Sequence, residues 1–227
     1  MELTKTEFAN MVDIVDLRVN VTDKDIKDLV EKAVENRFIA IATVKSYNPF
    51  VFETLEKMNR KDDIIVVGGA GFPTGGEKTF TKVAAVRDCI ADGCKELDIT
   101  SNIGFIKSHW YDKVEYEMRA IVDAAAGLPV KFIIEVSYLT EDEIKRVCEI
   151  IIKAGGSFVK TGTGYGPAPT TTEHIKLIKS FVGDEIKIKA AAGIRTLETV
   201  LSMKEAGVSR FGMSKGTALK ILSQLPL

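Results

Sequence analysis

Two lysines and an aspartate have the spacing of a reactive centre. Lys160 ends one short apolar run (157–161) and Lys189 ends the next (186–190). If these runs are neighbouring parallel strands, their ammonium groups meet in one poorly hydrated space and each depresses the other's pKa. A lysine that is neutral near pH 7 attacks carbonyl compounds, so the pair reads as a metal-free Schiff-base site. Asp98, in the run 95–100, adds a carboxylate on the same rim that can relay protons to or from a substrate hydroxyl. The bland alternative is a pair of surface lysines whose stems lie on apolar surface while their heads reach water. It explains less well why two of them end adjacent runs with an acid opposite.

The elements that must position these groups follow from the hydrophobic pattern. Strand-like runs occupy 11–15, 38–44, 63–69, 95–100, 130–136, 157–161, 186–190 and 210–213, separated by amphipathic helical stretches. Thr22 with Asp25 and Thr140 with Glu143 have the spacing of capping boxes that open helices. Gly93, Gly127, Gly155, Gly183 and Gly207 fall where helices end. Eight such βα units predict an α/β fold, a closed (β/α)8 TIM barrel, as a single domain over 1–227. Barrel sites lie at the C-terminal ends of the strands. That rule selects Asp13 or Asp16, Asp98, Glu135, Lys160, Lys189, Gly212 and Ser214.

The segment 160–166, KTGTGYG, matches neither the GxGxxG nor the GxxxxGK nucleotide pattern. Gly164, Gly193 and Gly212 instead follow three successive strands, where backbone N–H groups can face an anion. The segment 210–216 then enters the last helix, whose N-terminus favours a phosphate. Lys215, just inside that helix, is expected to add a charge-assisted contact. A solvated surface lysine is the alternative.

Composition narrows the partners. The 227 residues carry 31 Lys and Arg against 32 Asp and Glu, a net charge of −1 that offers no electrostatic reason for binding nucleic acid or a membrane. No apolar run is long enough for a membrane span, and the first residues lack a secretory core, so a cytoplasmic protein is expected. Cys89, Cys94 and Cys148 form no CxxC pair and read as core residues. His109 and His174 read as helix residues, and without an H-x-H pair no metal and no cofactor is expected. A small phosphorylated sugar or aldehyde is the expected partner, and a homo-oligomer is compatible with the sequence.

At these motifs the chain resembles the deoxyribose-phosphate aldolase family. The resemblance rests on FVKTGTGYG (158–166), IKAAAGIRT (188–196) and ELDITSNIGFIKS (96–108), with weaker support from FPTGG (72–76), IIEVSYLTEDEI (133–144) and RFGMSKG (210–216). It implies Lys160 as the Schiff-base lysine, Lys189 as its pKa-lowering neighbour and Asp98 as the proton-relay acid. It also implies that Gly164, Tyr165, Gly193, Ile194, Gly212 and Ser214 surround a substrate phosphate, with Asp13, Leu17 and Thr163 in the binding set. The first strand keeps only Asp13 and Leu17 of the family pattern, Ala42 replaces a cysteine, and Ala192 replaces a glycine. The implied reaction is reversible cleavage of 2-deoxy-D-ribose 5-phosphate to acetaldehyde and D-glyceraldehyde 3-phosphate. The altered strands leave room for another phosphorylated hydroxy-aldehyde or ketose, and a non-catalytic sugar-phosphate-binding barrel is the alternative of another class.

Overall fold

Side chains alternate between the two faces of a strand, so the sequence of each strand fixes what it offers to the helices and what it turns inward. The computed structural model describes residues 3–226. Its strands are β1 (Val12–Asp16), β2 (Ala40–Thr43), β3 (Ile65–Ala70), β4 (Glu96–Thr100), β5 (Val130–Ile133), β6 (Phe158–Lys160), β7 (Lys187–Ala191) and β8 (Arg210–Ser214). They pair in chain order, all parallel, and β8 closes on β1. This is the expected (β/α)8 barrel.

The helices are α1 (Lys5–Ala9), α2 (Asp23–Glu35), α3 (Asn48–Lys57), α4 (Thr79–Asp92), α5 (Ile103–Lys107), α6 (Tyr111–Ala124), α7 (Glu141–Ala154), α8 (Thr172–Val182), α9 (Leu197–Glu205) and α10 (Lys215–Leu222). Thr22 and Thr140 close the capping boxes their spacing implied, each accepting an N–H from the third residue of its helix. Gly93 and Gly155 end α4 and α7 in the left-handed conformation, whereas Gly183 ends α8 at φ 51°, ψ −126°, outside it. Among the described residues no helix is long and apolar enough to cross a membrane.

Ile14, Ile41, Val66, Leu97, Phe132, Val159, Ile188 and Phe211 belong to the main hydrophobic core between strands and helices. Each such side chain contributes roughly 1.5–3 kcal/mol of burial free energy. The barrel interior is divided. Ala40, Ala42 and Val67 form a small apolar cluster on the β2–β3 side. The rest holds a cluster of charges: Asp13, Glu96, Asp98, Lys131, Lys160, Lys189 and Arg210 are all buried. Typical barrels fill this space with branched apolar residues, so a charged interior makes this layer the candidate site.

Two expectations need correction. β5 stops at Ile133 rather than 136, because Glu135 turns into the left-handed region at φ 50° and breaks the ladder. His109 is not helical; it sits between α5 and α6 at φ 55°, exposed, with its ring stacked on Tyr111. His174 lies in α8 as expected, where its Nδ1 accepts the Thr171 N–H. All three cysteines are buried and free.

Candidate active site

Parallel register sets Lys160 beside Lys189, and Lys189 beside Arg210, so three cations descend the wall from β6 to β8. On the opposite wall Asp98 pairs in register with Lys131. The long lysine stems cross the interior and meet the acids in the middle. Lys160 Nζ lies 2.6 Å and Lys189 Nζ 2.7 Å from the same atom, Asp98 Oδ2. Lys189 also contacts Asp13 closely. Lys131 Nζ is 3.3 Å from Asp98 Oδ1 and 2.6 Å from Glu96 Oε2. Arg210 closes the ring at 2.9 Å from Asp13 and 2.8 Å from Glu96.

Four cations therefore face three carboxylates, and one proton is in excess. Lys160 is the cation placed to lose it, because its only ion-pair partner among the described residues is a carboxylate that Lys189 and Lys131 share. Burial pulls its ammonium down to about 8, and Lys189 pushes the same way against the attraction of Asp98. Burial alone would raise the Asp98 carboxyl, but Lys160, Lys189 and Lys131 outweigh it and hold the group well below the ordinary carboxylate range. Asp13 is lowered against its burial by Lys189, Lys131 and Arg210.

Lys189 departs from the sequence-based expectation in two ways. It does not end its strand, since β7 continues to Ala191, and it lies one layer below the mouth. Nor is its pKa depressed: burial would lower it, but Asp13 and Asp98 together raise it. The influence of the two lysines is one-sided. Lys189 stays protonated and Lys160 gives way.

Above Lys160 a cavity of about 210 Å³ opens between the exits of β6, β7, β8 and β1. Leu17, Thr163, Gly164, Gly193, Ile194, Gly212 and Ser214 all line it. Gly193 has φ 82°, and any Cβ there would collide with Pro169, so only glycine lets the backbone follow this wall. Ala192 beside it holds φ 77° with a methyl group, a conformation that costs an L-residue about 1–2 kcal/mol. The serine hydroxyl of Ser214 caps α10 by accepting the Thr217 N–H, so the helix N-terminus opens on the cavity.

Three expected binding residues lie elsewhere. Asp13 is fully buried against Lys189 and Arg210, beneath the cavity rather than in its wall. Tyr165 arches over the mouth instead of lining the cavity, and its hydroxyl donates to the Leu17 carbonyl at 3.0 Å. Lys215 turns away and pairs with Asp28 of α2. Lys215→Ala should thus leave KM for a phosphorylated substrate within twofold, at a small cost in thermal stability. A tenfold rise in KM in steady-state assays would show that Lys215 swings back onto the ligand.

The sequence reading passed over Arg195, which lines the cavity, and the Glu96, Lys131 and Arg210 layer beneath it. Strand alternation carried the signal for that layer: each sits two residues from a neighbour already chosen or in register with it. A second, smaller cavity of about 100 Å³ meets Lys160 and Asp98 from the β2–β3 side, where Phe72 closes it.

A parallel barrel that opens on a buried amine of lowered pKa, clasped by a carboxylate, defines an aldehyde-lyase of the barrel class. The chain is 39% identical over 225 residues to a deoxyribose-phosphate aldolase of Klebsiella pneumoniae subsp. pneumoniae, covering 99% of this chain and 90% of that one; a Thermococcus kodakarensis protein of the same name is 38% identical over 228 residues, with 99% of each chain covered. A solved aldolase designated QR15 superposes with a TM-score of 0.88 at 35% identity, covering 99% of this chain and 97% of the other. The chain belongs to the deoxyribose-phosphate aldolase family. No protein-family model matches it.

Proposed function

We propose that this enzyme reversibly cleaves 2-deoxy-D-ribose 5-phosphate into acetaldehyde and D-glyceraldehyde 3-phosphate, with Lys160 as the Schiff-base nucleophile. The substrate is the one named by its relatives. The observation that carries the chemistry is the Lys160 amine, buried 2.6 Å from Asp98 Oδ2 at the floor of a cavity whose far wall is glycine backbone and a helix N-terminus, a burial that pulls its pKa down.

The neutral amine of Lys160 attacks C1 of the open-chain sugar, and the carbinolamine loses water to give an iminium. Lys189, cationic in the resting enzyme and within hydrogen-bond reach of Asp98, can lend the proton that the leaving hydroxide takes and recover it when the iminium is hydrolysed. The C3 hydroxyl proton passes to Asp98, directly or through water, as the C2–C3 bond breaks. Its electron pair flows into the iminium, so the products are the phosphorylated aldehyde and an enamine on Lys160. Asp98 returns its proton to C2 of the enamine, and hydrolysis of the resulting iminium consumes one water and frees acetaldehyde, the amine and the lent proton.

Phosphate recognition falls to the β6, β7 and β8 exits. Backbone around Gly164, Gly193 and Gly212, the start of α10 and the exposed guanidinium of Arg195 converge on one end of the cavity. Arg195→Ala should raise KM for the phosphorylated sugar about tenfold and leave that for 2-deoxyribose unchanged. Equal losses on both sugars would remove Arg195 from the phosphate end.

The deciding experiment incubates the protein with deoxyribose 5-phosphate, follows acetaldehyde release, and maps the borohydride-reduced adduct by mass spectrometry. Release with an adduct on Lys160, persisting in EDTA, supports the proposal. An adduct formed only with another phosphorylated aldehyde or ketose would keep the nucleophile and change the substrate. No adduct with any of them would leave a sugar-phosphate-binding barrel.

A further inference from the structure

The carboxylate of Glu135 lies just behind the β6 exit and takes no part in the steps above. Its backbone occupies the left-handed region, φ 50° and ψ 66°, which penalises a residue with a Cβ. The two residues around the kink are held in register with the reactive segment. Ile134 N–H donates to the Lys160 carbonyl at 3.0 Å and Val136 N–H to the Thr161 carbonyl at 2.9 Å. Between those anchors the kink throws the side chain over the start of the β6 loop, where it is 4% exposed.

All of its hydrogen-bond partners among the described residues are neutral. One oxygen accepts both the Thr163 N–H, at 3.0 Å, and the Thr163 hydroxyl; the other is 3.5 Å from the Ser137 hydroxyl. The loop is wrapped around this carboxylate so tightly that a Cβ at Gly162 or Gly166 would sit 2.8 or 2.7 Å from Oε1. A buried carboxyl group satisfied only by neutral donors of nearby loops is an expensive way to stabilise a fold. It is an effective way to fix one loop conformation. Thr163 passes the constraint on, for its Oγ accepts the Tyr165 N–H at 3.0 Å. The Tyr165 hydroxyl then reaches the Leu17 carbonyl on the far side of the mouth, and its ring meets Phe72 edge-on at 5.5 Å.

We infer that Glu135 is a positioning residue: its carboxylate is the template on which the 162–166 loop folds, and through Thr163 and Tyr165 it ties that loop across the mouth to Leu17, setting the grip on the phosphate-bearing half of the substrate. The inference rests on the proposed reading of the β6 loop as part of the phosphate end. It separates Glu135 from the charged layer below Lys160. That layer governs the amine; Glu135 governs where the anion sits.

The test compares Glu135→Ala, Glu135→Gln, Thr163→Val and the Ala/Val double variant, each checked for an unchanged melting profile. KM and kcat are measured on deoxyribose 5-phosphate and on 2-deoxyribose, and the affinity for inorganic phosphate is read by calorimetry. Glu135→Ala should raise KM for the phosphorylated sugar about tenfold or more, with kcat reduced less than threefold. Glutamine still accepts the Thr163 N–H through its carbonyl oxygen and should restore most of the loss. Thr163→Val should match Glu135→Ala, and the double variant should be no worse than either, because both break one network. If the alanine variant does not fold, the glutamine and valine variants carry the same comparison.

A fall in kcat on both sugars at constant KM, or additive losses in the double variant, overturns the inference. The phosphate measurement keeps the two readings apart. A wild-type protein inactive on deoxyribose 5-phosphate but losing phosphate affinity on Glu135→Ala would sink the proposed substrate and keep the role of Glu135. Unaltered phosphate affinity in every variant would sink the role of Glu135 alone.

Discussion

Lys160→Ala should abolish cleavage of deoxyribose 5-phosphate, with a loss on the order of 10⁴-fold or more, because no remaining group can form the iminium that accepts the electron pair. Lys189 cannot substitute: it lies a layer deeper, is pinned by Asp13 and Asp98, and is held protonated by them. Borohydride trapping with acetaldehyde should disappear together with activity. The fold should survive, for a physical reason specific to this interior. Lys160 carries the excess positive charge of the buried layer, so its removal leaves Lys131, Lys189 and Arg210 balanced against Asp13, Glu96 and Asp98. Asp98 keeps Lys189 at 2.7 Å. An adduct of full yield in the variant, mapped to Lys189 or Lys131, would move the nucleophile; a collapsed melting profile would mean that the charge balance has been misread.

The barrel was legible because its signals are local and repeated. Helix starts are announced at Thr22 and Thr140 by capping residues, and each strand is a short apolar run, so eight repeats could be counted without knowing any contact. Lys160 and Asp98 were legible by the rule that barrel sites gather near strand exits. What stayed hidden was depth. β4 and β7 run beyond Asp98 and Lys189, and only the register shows that these side chains point into the barrel beneath the mouth. Lys131 and Arg210 were hidden for the same reason, since a charged residue at a strand start reads as solvated until the barrel closes over it. The misplacement of Lys215 has a different cause: its partner, Asp28, is 187 residues away in sequence, and no local pattern reveals such a pair. Glu135 fell at an expected strand end, but the left-handed turn that gives it its place could not be read from residue types favouring a continued strand.

Lys189→Leu is expected to raise the pKa of Lys160 and move the acid limb of kcat/KM upward by about two pH units. Two effects act in the same direction. The substitution removes a like charge that now helps to push the Lys160 ammonium down to about 8. It also frees Asp98 Oδ2, which Lys189 and Lys160 share, and leaves Asp13 with Arg210 as its remaining ion-pair partner. Three carboxylates would then face Lys131, Arg210 and Lys160, so the Lys160 proton that was in excess becomes the one that makes the layer neutral. The sign follows directly. A lysine is reactive only above its pKa, so activity in the wild type should rise tenfold per unit up to about pH 8 and level off, whereas the variant should go on rising well beyond that. Near pH 7 the neutral fraction of Lys160 would fall about a hundredfold, and trapping by borohydride with acetaldehyde should slow in proportion. Leucine preserves most of the volume, but Asp13 loses a buried partner, so the melting temperature should drop as well. That drop does not depend on Lys160, and the pH profile separates the two. An acid limb that stays in place while kcat falls would make Lys189 a proton donor without influence on the nucleophile, and the paired-lysine account of how Lys160 becomes neutral would have to be abandoned.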